Sequence, residues 1–233
     1  MIKPSKISYK LYLNERIHPV SFHGQEVYPL YIQLIYDRKP VYFKSYFFDL
    51  LSNEKYIISG GAGDRHPNMD EVISKEERLL NYLTQPGLFS FGTLKEDYVH
   101  GSFDLLDCMD ADFKEYMMVF FCDEGKSEFA RIVLGAKSLI TSNGLLKALK
   151  GSLKPALYNK LIEHAAYYAP PYLPLEAFSK MLSKDAFSTL SLYEWNDPAV
   201  QVSFKEFLQT EYPDYTLKDV QQATRKVIKA ANL

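Results

Sequence analysis

The chain has 233 residues, 47% of them hydrophobic, and a formal net charge of −2. This length permits one large domain or two small ones with a substantial core, whereas the near-neutral charge excludes general polyanion binding and requires any nucleic-acid site to be local. The two cysteines, Cys108 and Cys122, form neither a disulfide framework nor a zinc pattern, and we expect no metal or cofactor.

The first residues and the apolar runs of the sequence predict the cellular compartment of the protein. The first ten residues, MIKPSKISYK, lack the apolar core of a signal peptide. The longest apolar run, residues 116–122, is far too short to span a bilayer. We therefore expect a soluble cytoplasmic protein with no membrane partner.

Three stretches near the N-terminus alternate apolar and polar residues with the period of a β-strand. They cover residues 6–13, 30–36 and 41–48, and the last two are joined by the turn Asp37-Arg38-Lys39-Pro40. Residues 14–26 contain Pro19 and Gly24 and are expected to form a flexible loop between the first two strands. The pattern predicts a three-stranded antiparallel sheet with one apolar face.

The second face of this sheet is predicted to be basic. It carries Lys6, Lys10, Tyr12, Gln33 and Lys44, with Arg38 and Lys39 at its rim. Residues 1–48 contain seven lysines and arginines against three acidic residues. Such a face suits a phosphate backbone, because bound cations release counterions and Gln or Lys can reach base edges. The alternative is an ordinary solvated sheet face whose lysines protect the edges.

A family resemblance lies in the same residues. The segment KLYLNER, a polar connection and then YPLYIQLIYDRKPVYFKS resemble the arm-type DNA-binding domain at the N-terminus of tyrosine recombinases of the phage-integrase family. That domain is a three-stranded sheet with a helix and binds arm sites on DNA. The resemblance covers about the first 50 residues and implies a DNA-facing sheet that includes Lys10, Tyr12, Gln33, Arg38, Lys39 and Lys44.

The remainder of the sequence does not complete that family. Its catalytic domain needs several arginines, a His-x-x-Arg element and a nucleophilic tyrosine. None of the five histidines is followed by arginine three residues later. We therefore expect a protein that is not an enzyme.

A helix is predicted to begin at Asn68, because Asn68-x-x-Glu71 resembles a capping box before an apolar pattern. This helix would cover the apolar face of the sheet, and residues 86–87, Pro-Gly, would end it. The expected fold class is α+β, with a small sheet domain at residues 1–86 and a mainly helical domain at 87–233. A helix start is also predicted at Asp197-Pro198.

An acidic segment follows the predicted sheet domain. Residues 49–124 hold 16 acidic and six basic residues. A continuous helix would place His100, Asp104 and Asp107 on one face, where they could bind a divalent cation, although their spacing differs from that of a calcium loop. Charge runs usually mark solvated helix faces, and that is the expectation here.

The most basic stretch is residues 125–160, with seven basic residues against Glu128. Residues 143–169 are predicted to form a long amphipathic helix, kinked near Gly151 and Pro155. Helical spacing would place three lysines on one face, as further candidate DNA contacts: Lys147, Lys150 and Lys154. The alternative is that these lysines only keep the helix soluble.

These patterns predict a non-catalytic protein that binds double-stranded DNA through a basic sheet, from a mobile-element context. The first alternative is an intracellular interaction or assembly module whose aromatic sheet pairs with a protein partner or with itself. The second is an enzyme that uses the cluster of His100, Asp104 and Asp107.

Overall fold

The structure is a computed structural model that describes residues 7–57, 65–85, 90–182 and 187–230. The chain divides into two compact units, Met1–Phe103 and Asp104–Leu233, which we call the N-terminal and C-terminal units. A small antiparallel sheet with helices precedes a helical region, so the predicted α+β fold class is confirmed. No helix among the described residues is long and apolar enough to cross a membrane.

The described residues of the N-terminal unit form five strands, which are β1 (Ile7–Leu13), β2 (Val20–Phe22), β3 (Gln25–Val27), β4 (Leu30–Tyr36) and β5 (Lys39–Lys44). Strands β1, β4 and β5 form an antiparallel sheet with β4 in the middle. Leu30, Ile32 and Leu34 of β4 alternate with half-buried residues and are at most 1% exposed. Because side chains alternate between the faces of a strand, one face of the sheet is the core face, as predicted.

The loop predicted at residues 14–26 is partly wrong, because β2 and β3 form a second, two-stranded sheet there. Its turn uses His23 and Gly24, which have φ angles of 50° and 82°. The hairpin is anchored by Phe22, which is buried and stacks on Phe48 with 5.4 Å between ring centroids. His23 Nε2 also lies 2.6 Å from the Leu51 carbonyl oxygen. Tertiary packing therefore orders a segment that local sequence marked as loop.

The turn between β4 and β5 is shorter than predicted. Only Asp37 and Arg38 form it, both with positive φ (47° and 66°), which is the backbone of a two-residue type I′ hairpin. The predicted third strand also ends early. Ser45 accepts a hydrogen bond from the Phe48 N–H and starts a helix at residue 46, because serine is a favoured N-cap.

Four helical segments complete the described part of the N-terminal unit, and they are α1 (Tyr46–Leu51), the 3₁₀ turn η1 (Glu54–Tyr56), α2 (Met69–Leu83) and α3 (Leu94–Ser102). The predicted capping box of Asn68 and Glu71 is present at the start of α2. The Tyr9 hydroxyl donates to Asn81 Oδ1 of α2 over 2.7 Å, so this helix lies against the core face. The unit includes α3 and ends at Phe103 rather than at residue 86, because Tyr98 packs on Phe43 of β5.

The named elements in the described part of the C-terminal unit are helices. Its helices are α4 (Leu105–Asp123), α5 (Ser127–Gly135), α6 (Ser142–Ser152), α7 (Pro155–Tyr168), α8 (Tyr172–Leu182), α9 (Leu192–Trp195), α10 (Pro198–Glu211) and α11 (Leu217–Ala230). Helix α4 contacts α5, α6, α7, α8 and α11 and is therefore the core helix of the unit. Asp197 caps α10 through the Ala199 N–H over 2.8 Å, as its sequence predicts.

A buried ion pair fixes α4 to the segment before α6. Lys114 Nζ donates to Asp110 Oδ2 over 2.6 Å and to the carbonyl oxygens of Lys137 and Ile140. Asp110 Oδ1 accepts from the Ser142 N–H over 2.6 Å. All the polar atoms of this pair have partners, which is the condition under which buried charges are tolerated.

Candidate nucleic-acid interface

The face of the sheet opposite the core face is the candidate site, and we call it the open face. It consists of the alternate residues Ser8, Lys10, Tyr12, Tyr31, Gln33, Ile35, Pro40, Tyr42 and Lys44. None of these side chains is buried. The predicted face is therefore present for Lys10, Tyr12, Gln33 and Lys44, whereas the predicted contact Lys6 lies outside the described residues.

Strand register arranges the open face in rows across the sheet. Lys10 pairs with Gln33, and Gln33 pairs with Tyr42. In the next row Tyr31 pairs with Tyr12 on one side and with Lys44 on the other. Directly opposite residues have Cβ atoms about 5 Å apart, so each row presents a cation beside polar and aromatic groups.

Side-chain contacts order the centre of the open face. Gln33 Nε2 donates to the Tyr42 hydroxyl over 2.9 Å. The rings of Tyr12 and Tyr31 have centroids 6.2 Å apart and planes tilted by 42°, within the range of favourable aromatic pairs. Tyr42 is 49% exposed, and its ring therefore offers an aromatic surface to a ligand.

A shallow, open groove of about 630 Å³ runs over this face. Its lining residues are Lys10, Tyr12, Leu13, Asn14, Glu15, Arg16, Tyr31, Gln33 and Tyr42. The segment 13–16 forms the wall of the groove and is held by backbone hydrogen bonds, such as that from the Asn14 N–H to the Pro29 carbonyl oxygen over 2.9 Å. The wall adds one base and one acid, Arg16 and Glu15, to the lysines of the strands.

Lys44 has an ion-pair partner on α1. Its Nζ lies 2.6 Å from Asp49 Oδ1, and the two side chains are 42% and 53% exposed. Exposed pairs of this kind contribute about 0–1 kcal/mol. An anion at the open face can therefore exchange with Asp49 at small cost.

The two predicted rim residues take different positions. Arg38 lies in the exposed β4–β5 turn at the end of the sheet. Lys39 belongs to β5 and pairs with Tyr36, whose partner on β1 is Ile7. The row formed by Ile7, Tyr36 and Lys39 belongs to the core face of the sheet. The Lys39 side chain therefore leaves the sheet on the side opposite Lys10.

The second predicted basic patch is not built on one helix. The expected long helix is two helices, because α6 ends at Ser152 and α7 begins at Pro155. Lys147 and Lys150 lie on α6, whereas Lys154 is the N-cap residue of α7, and all three are exposed. Proline cannot continue a helix without loss of a backbone hydrogen bond, which explains the break.

The acidic cluster does not form the predicted helix face. His100 belongs to α3, but Asp104 follows the end of that helix and caps α4. Asp104 is fully buried rather than solvated, and its carboxylate accepts from the Asp107 and Leu190 N–H groups, each over 2.7 Å. Asp104 is thus a structural residue, and within the described residues no group of three or more metal-binding side chains is found.

Sequence reasoning missed Arg16, Tyr31 and Tyr42 as members of the site. The two tyrosines could have been predicted from the alternation of the strands. Tyr31 lies two residues from Gln33 on β4, and Tyr42 lies two residues from Lys44 on β5, so each shares a face with that residue. Arg16 carried no such signal, because its position depends on the course of the wall segment.

Comparison with known proteins gave no match: no family model, no curated protein and no solved structure is similar to this chain.

Proposed function

We propose that this chain is a non-catalytic DNA-binding protein, resembling the arm-binding region of a phage-type integrase and belonging to a mobile-element context. Double-stranded DNA binds on the open face. The observation that carries the proposal is the strand register, which collects cations, tyrosines and one amide on the face opposite the core.

The width of the sheet supports this proposal. Neighbouring strands lie about 4.8 Å apart, so the backbones of β1 and β5 are separated by roughly 10 Å. The major groove of B-DNA is about 12 Å wide. With β4 at the centre of the groove, the outer strands approach the phosphates, and phosphate contacts position a protein while contacts to base edges specify the sequence.

The charge distribution supports it as well. Four cations lie on or around the open face, and these are Lys10, Arg16, Arg38 and Lys44. The acids beside them are Glu15 in the wall, Asp37 next to Arg38 in the β4–β5 turn, and Asp49 beside Lys44. Because the whole chain carries −2, this local excess directs a polyanion to one surface.

A pair of matched charge reversals tests the proposal by fluorescence polarisation with a labelled duplex of random sequence. Lys10→Glu/Lys44→Glu changes two cations of the open face, and Lys39→Glu/Lys95→Glu changes two exposed lysines elsewhere in the N-terminal unit by the same total charge. We expect the first variant to lose at least about tenfold in affinity and the second to bind nearly as wild type. Equal losses in both variants would reject the open face as the site.

A second candidate is the protein-interaction module. It is favoured by exposed aliphatic side chains on and after α5: Ile132, Leu134 and Leu139, which are 52%, 58% and 61% exposed. These three side chains lie within eight residues of one another along the chain, and exposed apolar side chains are candidate contacts of a protein interface. Sedimentation velocity over a concentration series tests it, since self-association predicts a larger species at high concentration that Leu134→Lys removes, and an unchanged monomer at all concentrations contradicts it.

A further inference from the structure

We propose that Gln33 recognises an adenine in the major groove of the bound duplex, an inference that rests on the proposed function. Gln33 lies near the middle of β4, which is the central strand of the sheet. Its neighbours across the strands are Lys10 and Tyr42. It is therefore the polar side chain placed deepest in any groove that receives β4 centrally.

The hydrogen bond to Tyr42 determines which groups Gln33 presents. One Nε2 hydrogen is directed to the Tyr42 hydroxyl over 2.9 Å, and this contact fixes the plane of the amide. The amide carries two N–H donors and one carbonyl acceptor. One donor and the acceptor are not used in this contact and can bind a ligand.

Adenine presents the complementary pair. Its major-groove edge carries the N7 acceptor and an N6–H donor, and Gln or Asn binds both at once. Gln33 Nε2 donates to N7, and Gln33 Oε1 accepts from N6–H. Guanine offers two acceptors at the same positions, so the Oε1 atom would meet an acceptor there and the contact would be repulsive.

The other candidate base readers of the groove are less suitable. Asn14 lies in the wall, and its Oδ1 accepts from the Arg16 N–H over 3.2 Å. Lys10 is on an outer strand, where phosphate contacts are expected. Gln33 is thus the residue through which this face distinguishes one base pair from another.

Selection from a pool of random duplexes tests the inference. Wild type is expected to enrich a motif with an A·T pair at a defined position. Gln33→Ala should lose the preference at that position and still bind duplex DNA. Gln33→Glu should change the preference there from adenine to cytosine, because a carboxylate accepts from the cytosine N4 amino group.

A base analogue then tests the individual contact with the selected duplex. Replacing the adenine by 7-deazaadenine removes the N7 acceptor and should weaken wild-type binding by roughly two- to tenfold, because it removes one of the two hydrogen bonds of a bidentate base contact. The same replacement should leave the affinity of Gln33→Ala unchanged. Tyr42→Phe, which releases the amide, should bind the natural site more weakly than wild type and retain part of the 7-deazaadenine effect.

The outcomes separate this inference from the proposed function. Salt-dependent binding with no change of base preference in Gln33→Ala overturns the role of Gln33 and leaves DNA binding intact. Equal sensitivity of wild type and Gln33→Ala to 7-deazaadenine overturns it in the same way. Absence of any binding by wild type overturns both the proposed function and the adenine contact.

Discussion

The Ser45 hydroxyl donates a hydrogen bond of 2.5 Å to Glu76 Oε1, and both side chains are fully buried. The same oxygen accepts from the Phe47 N–H over 3.1 Å and from the Tyr98 hydroxyl over 2.9 Å. One carboxylate of α2 thus joins the start of α1 to α3. Because Ser45 directly follows β5, this network also sets where the last strand of the open face ends.

The burial of Glu76 predicts a pH-dependent stability. Desolvation raises the pKa of Glu76 from 4.5 to about 6, against the lowering effect of its hydrogen bonds. The folded protein therefore holds this proton more tightly than the unfolded chain does. The resulting stabilisation is full below about pH 4.5 and is lost as the pH rises through about 6, with a difference of about 2 kcal/mol.

Glu76→Gln isolates this effect, because the amide does not titrate while the background of other carboxyl groups stays the same. We expect the unfolding free energy of the variant, relative to wild type, to rise by about 2 kcal/mol between pH 4.5 and pH 7.5. Urea denaturation at several pH values measures this difference. A difference that does not change with pH would show that Glu76 has an ordinary pKa.

The buried pair in α4 predicts a large loss of stability. Lys114→Met leaves the Asp110 carboxylate buried without its cation, and two carbonyl oxygens lose their donor. We expect a cost of about 3–5 kcal/mol in denaturant unfolding. The control is Lys160→Met, which removes a 2.6 Å contact to Glu124 from a lysine that is 56% exposed and should cost at most about 1 kcal/mol. Similar costs for the two variants would contradict the structural role of Lys114.

Asp49 is predicted to weaken DNA binding, because it competes with phosphate for Lys44. Asp49→Asn should tighten binding by about two- to fivefold, in line with the small free energy of an exposed pair. Asp70→Asn removes the same charge from the exposed start of α2 and should change affinity little. Polarisation titrations of both variants with one duplex measure the two affinities. Equally tighter binding by both variants would mean that the affinity depends on net charge and not on the pair of Asp49 with Lys44.

The β4–β5 turn offers a stabilising substitution. Asp37 and Arg38 both have positive φ, a conformation that costs residues with a side chain about 1–2 kcal/mol. Asn-Gly is the preferred pair for such a turn. We expect Asp37→Asn/Arg38→Gly to raise the unfolding free energy by about 1 kcal/mol, and an unchanged or lower value would argue against the type I′ turn.

Local sequence predicted much of the sheet. Period-2 alternation placed Lys10, Gln33 and Lys44 on the same face, and the strand register agrees. Capping patterns also located two helix starts, after Asn68 and Asp197. These features depend on neighbours in sequence, which is why they could be read from the chain.

The errors have a common physical origin in distant contacts. The β2–β3 hairpin is held by the stacking of Phe22 on Phe48, and this contact cannot be predicted from the composition of residues 14–26. Asp104 was expected in a solvated face, but its carboxylate bonds to the Leu190 N–H.

The salt dependence of duplex binding tests the central claim most directly. Four cations around the open face predict that the logarithm of the wild-type association constant falls linearly with the logarithm of salt concentration, with a slope of about −3 to −4. Polarisation titrations from about 50 to 200 mM salt measure that slope. A slope in this range, reduced by about 2 in Lys10→Glu/Lys44→Glu, is the predicted result. No binding at the lowest salt concentration, or a slope near zero, would contradict DNA binding by the open face.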